Sequence, residues 1–121
     1  LDAAHNADGC EALAAHLARE PRRRVLVFGA MADKDWRAML AILRPHADAI
    51  VCAAPAISRA ERPETIAAAC GGIAAESPEA AIALARRLAG GDEVVVAGSI
   101  YLMGAIRGLL LGLEADPPIA M

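Results

Sequence analysis

The chain has 121 residues, a formal net charge of −3 and 57% hydrophobic residues, yet one Trp, one Tyr and one Phe. That length fits a single domain, and the core it can build is aliphatic and rich in alanine, while 22% charged residues excludes a disordered composition. There is no basic stripe and no aromatic stacking platform, which argues against nucleic acid, and the most apolar stretch, Ile100 to Leu113, is broken by Gly104, Arg107 and Gly108 and falls short of the ~20 residues of a membrane span.

In chain order, Leu1-Asp2 reads as the end of a strand whose start lies upstream. Leu1 is not an initiator, so the chain is expected to be a piece of something longer. Asn6 can cap a helix over Ala7–Arg19, with His16 on its exposed flank. The run Arg22-Arg23-Arg24 flanks a buried strand, Val25–Phe28. A polar loop, Gly29–Asp35, leads into a helix over Asp35–Leu43, with Asp33 or Asp35 as N-cap and Pro45 as its stop. His46 falls in a surface loop.

A second continuous apolar run, Ala49–Ala53, predicts another strand. Pro63 opens a helix that runs to Cys70 and stops at Gly71-Gly72. Ile73–Ala75 reads as a short fourth strand. Ser77-Pro78-Glu79 caps a helix to Leu88, closed by Gly90-Gly91. Glu93–Ala97 is the third long strand, Ile100–Leu113 the last helix, and Asp116-Pro117-Pro118 ends regular structure. Cys10, Cys52 and Cys70 are odd in number and follow no ligand spacing, so they read as reduced, buried thiols of a cytoplasmic protein, and no metal site is expected.

Strand alternates with helix throughout, and the strands are continuous rather than alternating, which predicts sheet covered on both faces. The fold class is therefore α/β: a three-layer Rossmann-like sandwich with a mainly parallel sheet flanked by helices. In such sheets, ligands sit beyond the carboxyl ends of the strands. Three loops share that edge, Ala3–Asn6, Gly29–Asp35 and Gly98–Tyr101, and the polar residues gather there. Lys34, between two aspartates near a helix start, either is solvated or meets a carboxylate or phosphate. Ser99 either caps the last helix or holds an anion with the free N–H groups. Asp2, just after a strand, suits a ribose hydroxyl. His5 is a donor or a surface histidine, and Tyr101 packs or lines the same edge.

These motifs together resemble the C-terminal domain of folylpolyglutamate synthase, including its bifunctional dihydrofolate synthase form, a branch of the Mur ligase superfamily. The family pattern Asp-Gly-Ala-His-Asn-Pro is matched by Asp2-Ala3-Ala4-His5-Asn6-Ala7. The loop Gly-x-x-x-Asp-Lys-Asp is Gly29 to Asp35, with Asp33, Lys34 and Asp35 in place. Gly-Ser-x-Tyr-Leu-x-Gly-x-x-Arg is Gly98-Ser99-Ile100-Tyr101-Leu102-Met103-Gly104-Ala105-Ile106-Arg107. Ala3 and Ala7 depart from the family glycine and proline; neither removes a side chain assigned to chemistry.

The resemblance implies an ATP-dependent ligase that joins glutamate to a folate, or to dihydropteroate, through an acyl phosphate. It implies that ATP and Mg²⁺ are bound mainly by a preceding central P-loop domain, absent from residues 1–121, which hold no Gly-x-x-x-x-Gly-Lys-Ser/Thr. By position, Asp2 would bond the ATP ribose, and His5, Lys34 and Ser99 would contact the incoming glutamate. Asn6, Asp33, Asp35, Gly98 and Tyr101 would support them, and this domain alone would carry no catalytic residue. The implied partners are glutamate, ATP, a folate-type acceptor and the enzyme's own central domain. Two other readings use the same residues: a stand-alone α/β module that binds a small anion or nucleotide without catalysis, and a purely structural or dimerising domain.

Overall fold

The computed structural model describes residues 5–111 and the backbone of Ile119–Ala120. At its centre lies β1, Arg24–Gly29, buried along all six residues. Its side chains alternate between two cores. Leu26 and Phe28 face one cluster; Val25 and Val27 face the other. A strand buried on both faces needs a continuous apolar run, which is what the sequence supplies.

The remaining strands are β2 (Ala49–Cys52), β3 (Ile73–Ala74), β4 (Glu93–Gly98) and β5 (Ile119–Ala120). They form one sheet in the order β3-β2-β1-β4-β5, every pairing parallel. Helices α1 (Ala7–Arg19), α2 (Trp36–Leu43) and α3 (Pro63–Cys70) contribute to the core on one face. Helices α4 (Pro78–Ala89) and α5 (Ile100–Leu111) contribute to the core on the other. The three-layer α/β sandwich expected from the alternation is thus the fold. No helix among the described residues is long and apolar enough to cross a membrane.

The sequence signals act where they fall. Asn6 Oδ1 accepts from Gly9 N at 2.7 Å and starts α1. Ser77 Oγ accepts from Ala80 N at 3.0 Å and starts α4. Gly71 ends α3 with φ 71°, a left-handed conformation that costs glycine nothing. Alanines 81 and 85 of α4, one turn apart, are fully buried against the sheet, the close approach that a small side chain permits.

Two expectations are corrected and two fall outside the described residues. Regular structure does not end at Pro118: Ile119–Ala120 pairs with Val94–Val95 as an edge strand. The upstream strand read at Leu1-Asp2 lies outside the described residues, as do the last two residues of the helix read to Leu113. His46 is half-buried and closes a 3₁₀ turn, Arg44–His46, rather than lying in an open loop.

The arginine run does flank a strand, but Arg24 is more than a flank. It begins β1 with 4% exposure. Its Nε donates to Glu93 Oε1 at 2.6 Å, and its Nη2 donates to the Leu17 carbonyl at 3.1 Å and to the Glu20 carbonyl. One guanidinium therefore ties the C-terminus of α1 to two adjacent strands. Replacing it leaves carbonyls and a carboxylate without their donor, so Arg24→Met is expected to lose about 3 kcal/mol in a urea unfolding series. A loss below about 0.5 kcal/mol, the level of an ordinary surface change, would show that water replaces the guanidinium.

All three cysteines are buried and free of disulfide. Burial pushes the Cys10 thiol up to about 11 and, with the Cys70 thiol beside it, the Cys52 thiol up to about 12, from an ordinary 9.0. The folded state therefore holds these protons more tightly than the unfolded chain. That stability is complete below pH 9 and drains away as pH rises through 9 toward 11–12, at about 1.4 kcal/mol per thiol per pH unit. Between pH 8 and 10, Cys52→Ala should lose less stability than the parent chain; parallel losses would contradict the shift.

Candidate functional site

The order β3-β2-β1-β4-β5 means that the chain leaves β1 toward β2 and later returns to β4 on its other side. The connecting helices change face at the same point. This is a topological switch point, where open α/β sheets take ligands beyond the carboxyl ends of their strands. A cavity of about 300 Å³ lies there, beyond the ends of β1 and β4.

Gly98 lines it and is backed by a second glycine. Gly29 and Gly98 pair across the β1–β4 ladder as the last residues of their strands. Gly98 has φ 107°, and a Cβ there would overlap the Gly29 carbonyl oxygen. A Cβ on Gly29 would overlap the Ala53 carbonyl oxygen and come within 2.9 Å of Leu102 Cδ2. Only glycine lets both strands end this close together.

Ser99 follows and is 4% exposed. Its Oγ accepts from Tyr101 N at 3.1 Å and Leu102 N at 3.3 Å, so it caps α5 as expected. A hydroxyl has two lone pairs and one proton. Both lone pairs are occupied by the helix, and the proton remains to be donated. Capping and ligand contact are compatible here. The α5 N-terminus adds its partial positive charge at the cavity wall.

The β1 loop supplies the charges. Asp35, not Asp33, caps α2: its Oδ1 accepts from Ala38 N at 3.3 Å. That leaves Asp33 and Lys34, both exposed, at the cavity lining. Lys34 N donates to the Met31 carbonyl at 3.1 Å, which fixes the turn that presents it. His5 lines the cavity from the segment before α1. Tyr101 and Ile100 line it as well and are 45% and 47% exposed.

Of the residues expected at this edge, the fold brings His5, Asp33, Lys34, Gly98, Ser99 and Tyr101 to one cavity. Asn6 and Asp35 are helix caps outside its lining. Asp2, read as a ribose contact, lies outside the described residues. Arg59, from the loop between β2 and α3, lines the cavity and was not anticipated. It has no motif around it in the sequence, and only the pairing of two distant loops brings it there.

The donor set suits an anion rather than a metal. Lys34, Arg59, a hydroxyl and a helix N-terminus outweigh Asp33, the one carboxylate lining the cavity among the described residues. No group of three His, Cys, Asp or Glu residues that could hold a metal ion occurs among the described residues, so these residues offer Mg²⁺ no cage.

Residues 1–100 match the family model described as Mur ligase, glutamate ligase domain. A relative from Halobacterium salinarum, named "Probable bifunctional folylpolyglutamate synthase/dihydropteroate synthase", is 38% identical over 115 residues, covering 88% of this chain and 14% of that protein. Folylpolyglutamate synthase from Mycobacterium tuberculosis, solved with ADP, superposes with a TM-score of 0.83 at 34% identity, covering 98% of this chain and 30% of that one. A bifunctional folylpolyglutamate synthase/dihydrofolate synthase solved with Mn, AMPPNP and L-glutamate gives 0.72 at 26% identity, covering 92% and 28%. The chain thus spans 14% of the length of that curated relative and less than a third of each of these structures.

Proposed function

Because this chain belongs to the Mur ligase family, as its glutamate ligase domain, we propose that it is the C-terminal domain of a cytoplasmic, ATP-dependent ligase that adds glutamate to a folate-type acceptor. The observation that carries this reading is the single cavity at the switch point, into which three motif segments far apart in sequence deliver His5, Lys34 and Ser99. Relatives solved with ADP, and with AMPPNP, Mn and L-glutamate, supply the ligand classes.

In this reading the cavity holds the incoming glutamate. Lys34 pairs with one carboxylate, and Ser99 and the α5 N-terminus donate to an oxygen of the other. His5, which also lines the cavity, contributes a further polar contact. ATP and Mg²⁺ are held mainly by a P-loop domain that residues 1–121 do not contain, and Asp2 reaches the ATP ribose from this side. The acceptor carboxylate takes the terminal phosphoryl group and ADP leaves. The glutamate amine, having lost a proton, attacks the acyl carbon; phosphate departs and an amide remains.

The contribution of this domain is positioning. Holding the amine against the acyl phosphate replaces a bimolecular encounter, and closure over the ATPase domain keeps water from hydrolysing the intermediate. The 121-residue chain alone should neither hydrolyse ATP nor form amide bonds. The full-length protein, given ATP, Mg²⁺ and a folate acceptor, should release phosphate only when L-glutamate is present, with the acceptor gaining one glutamate by mass. Ser99→Ala should raise the glutamate KM about 5- to 10-fold and leave the ATP KM unchanged, as expected for one hydrogen bond. Phosphate release indifferent to glutamate, or turnover by the isolated chain, would overturn the reading.

A further inference from the structure

The amino end of the sheet holds a second cavity, of about 350 Å³. Arg22, Arg24, His46 and Asp48 are its polar lining, and Leu17, Pro21 and Pro45 contribute apolar walls. None of the three motif segments reaches it. β1 runs from this end of the sheet to the switch point, so its six residues hold the two cavities apart by about 17 Å of strand.

Arg24 is the one buried charged side chain among the described residues. A guanidinium carries five N–H groups. Nε uses its one on Glu93, and Nη2 uses both of its own on the carbonyls of Leu17 and Glu20. Nη1 keeps two, and among the described residues no acceptor meets them. A buried donor without a partner is costly, so the partner comes from outside the chain. Asp48 does not supply it: its Oδ2 accepts from the Arg24 backbone N at 2.8 Å, and it makes no ion pair with the guanidinium. Two further donors stand at the same cavity. His46 is half-buried and makes no side-chain hydrogen bond or ion pair among the described residues, and Arg22 has only a 3.6 Å contact with Glu20 in which both side chains are exposed.

We infer that the amino end of the sheet carries a second small-molecule site, for a monocarboxylate with a short apolar body, whose carboxylate is received by Nη1 of Arg24. Free N–H groups on a permanent cation call for an oxyanion. Glu93 and Asp48 offset the charges of Arg24 and Arg22, so the site offers hydrogen-bond donors without a surplus of positive charge. That suits a single carboxylate and disfavours a phosphate dianion. Leu17, Pro21 and Pro45 give the apolar body its contact, and the volume falls at the lower end of the range that small-molecule sites occupy.

The test is a crystal soak and a calorimetric titration of the full-length protein with hexanoate, with hexanamide and inorganic phosphate as contrasting probes. Saturating L-glutamate and a non-hydrolysable ATP analogue are present throughout, so that their own sites are filled. Hexanoate should lie in this cavity with a carboxylate oxygen within hydrogen-bond distance of Arg24 Nη1. Hexanamide should bind at least about 10-fold more weakly, the effect of losing a charge-assisted contact, and phosphate should not displace hexanoate. Ala18→Trp, which puts an indole at the cavity lining, should abolish binding, and Arg22→Ala should weaken it about 3-fold or more. Both positions are exposed, so both variants should keep the thermal midpoint of the wild type. Water alone at Nη1 in the soaked crystals, hexanamide binding as tightly as hexanoate, displacement by phosphate, or an affinity unmoved by Ala18→Trp and Arg22→Ala would overturn the inference. Each of these outcomes leaves the ligase reading standing, since that reading concerns the opposite edge of the sheet.

Discussion

Gly98→Ala should lose at least about 3 kcal/mol of folding stability and raise the glutamate KM of the full-length protein. Two costs add at this position. Its φ of 107° is rarely adopted by L side chains, and the new methyl would overlap the Gly29 carbonyl oxygen, a backbone atom fixed by the central ladder. The strain cannot be relieved by a rotamer change. It can be relieved only by spreading β1 from β4 or by shifting the turn into Ser99. Either movement displaces the Ser99 hydroxyl from the cavity wall, so the stability and kinetic defects should appear together. Gly104→Ala makes the control: a Cβ at that α5 position meets nothing within 4 Å, so alanine should be neutral or stabilise by up to about 1 kcal/mol. Chemical denaturation of the two variants side by side checks the claim. A Gly98→Ala protein as stable as the wild type would mean that the close Gly29–Gly98 pairing is not required.

Lys34→Ala should raise the glutamate KM of the full-length protein about 100-fold, the upper range for a lost charged hydrogen bond, and leave the ATP KM within about 2-fold. Lys34 sits at the cavity with no ion pair among the described residues, and its backbone is fixed by the bond to Met31. Because Lys34 is exposed, stability should hardly change, which separates this variant from Gly98→Ala. Lys34→Arg should restore part of the affinity, since charge is kept while reach and geometry differ. The contrary outcome, an ATP KM raised and a glutamate KM unchanged, would move Lys34 to the nucleotide and leave the glutamate site without its principal cation.

Much of this could be read from the chain because local signals and global fold agree. Val25–Phe28 and Glu93–Ala97 are β-branched and continuous, and they became the two central strands. Ser77-Pro78 and Gly71 placed helix ends through cap chemistry that acts over three or four residues. Legibility ended where partners are remote. Arg24 reads only as one of a run that flanks a strand, since nothing in Arg22-Arg23-Arg24 shows that its neighbours are Glu93, 69 residues away, and the end of α1. Ile119–Ala120 is two residues long and follows two prolines, too short for any periodicity, and it exists as a strand because the edge of β4 was available. Arg59 is the clearest case. It enters the candidate site through the bridge between Met31 and Ala60, a pairing of irregular loops with no pattern of its own.

What occupies the cavity at the end of β1 and β4 decides the function of this domain. The direct measurement is a crystal structure of the full-length protein with a non-hydrolysable ATP analogue and L-glutamate. The predicted result is one glutamate in the cavity, a carboxylate oxygen within hydrogen-bond distance of Ser99 Oγ and the other carboxylate at Lys34. Glutamate bound elsewhere, with this cavity holding nucleotide phosphate or solvent, would contradict the account.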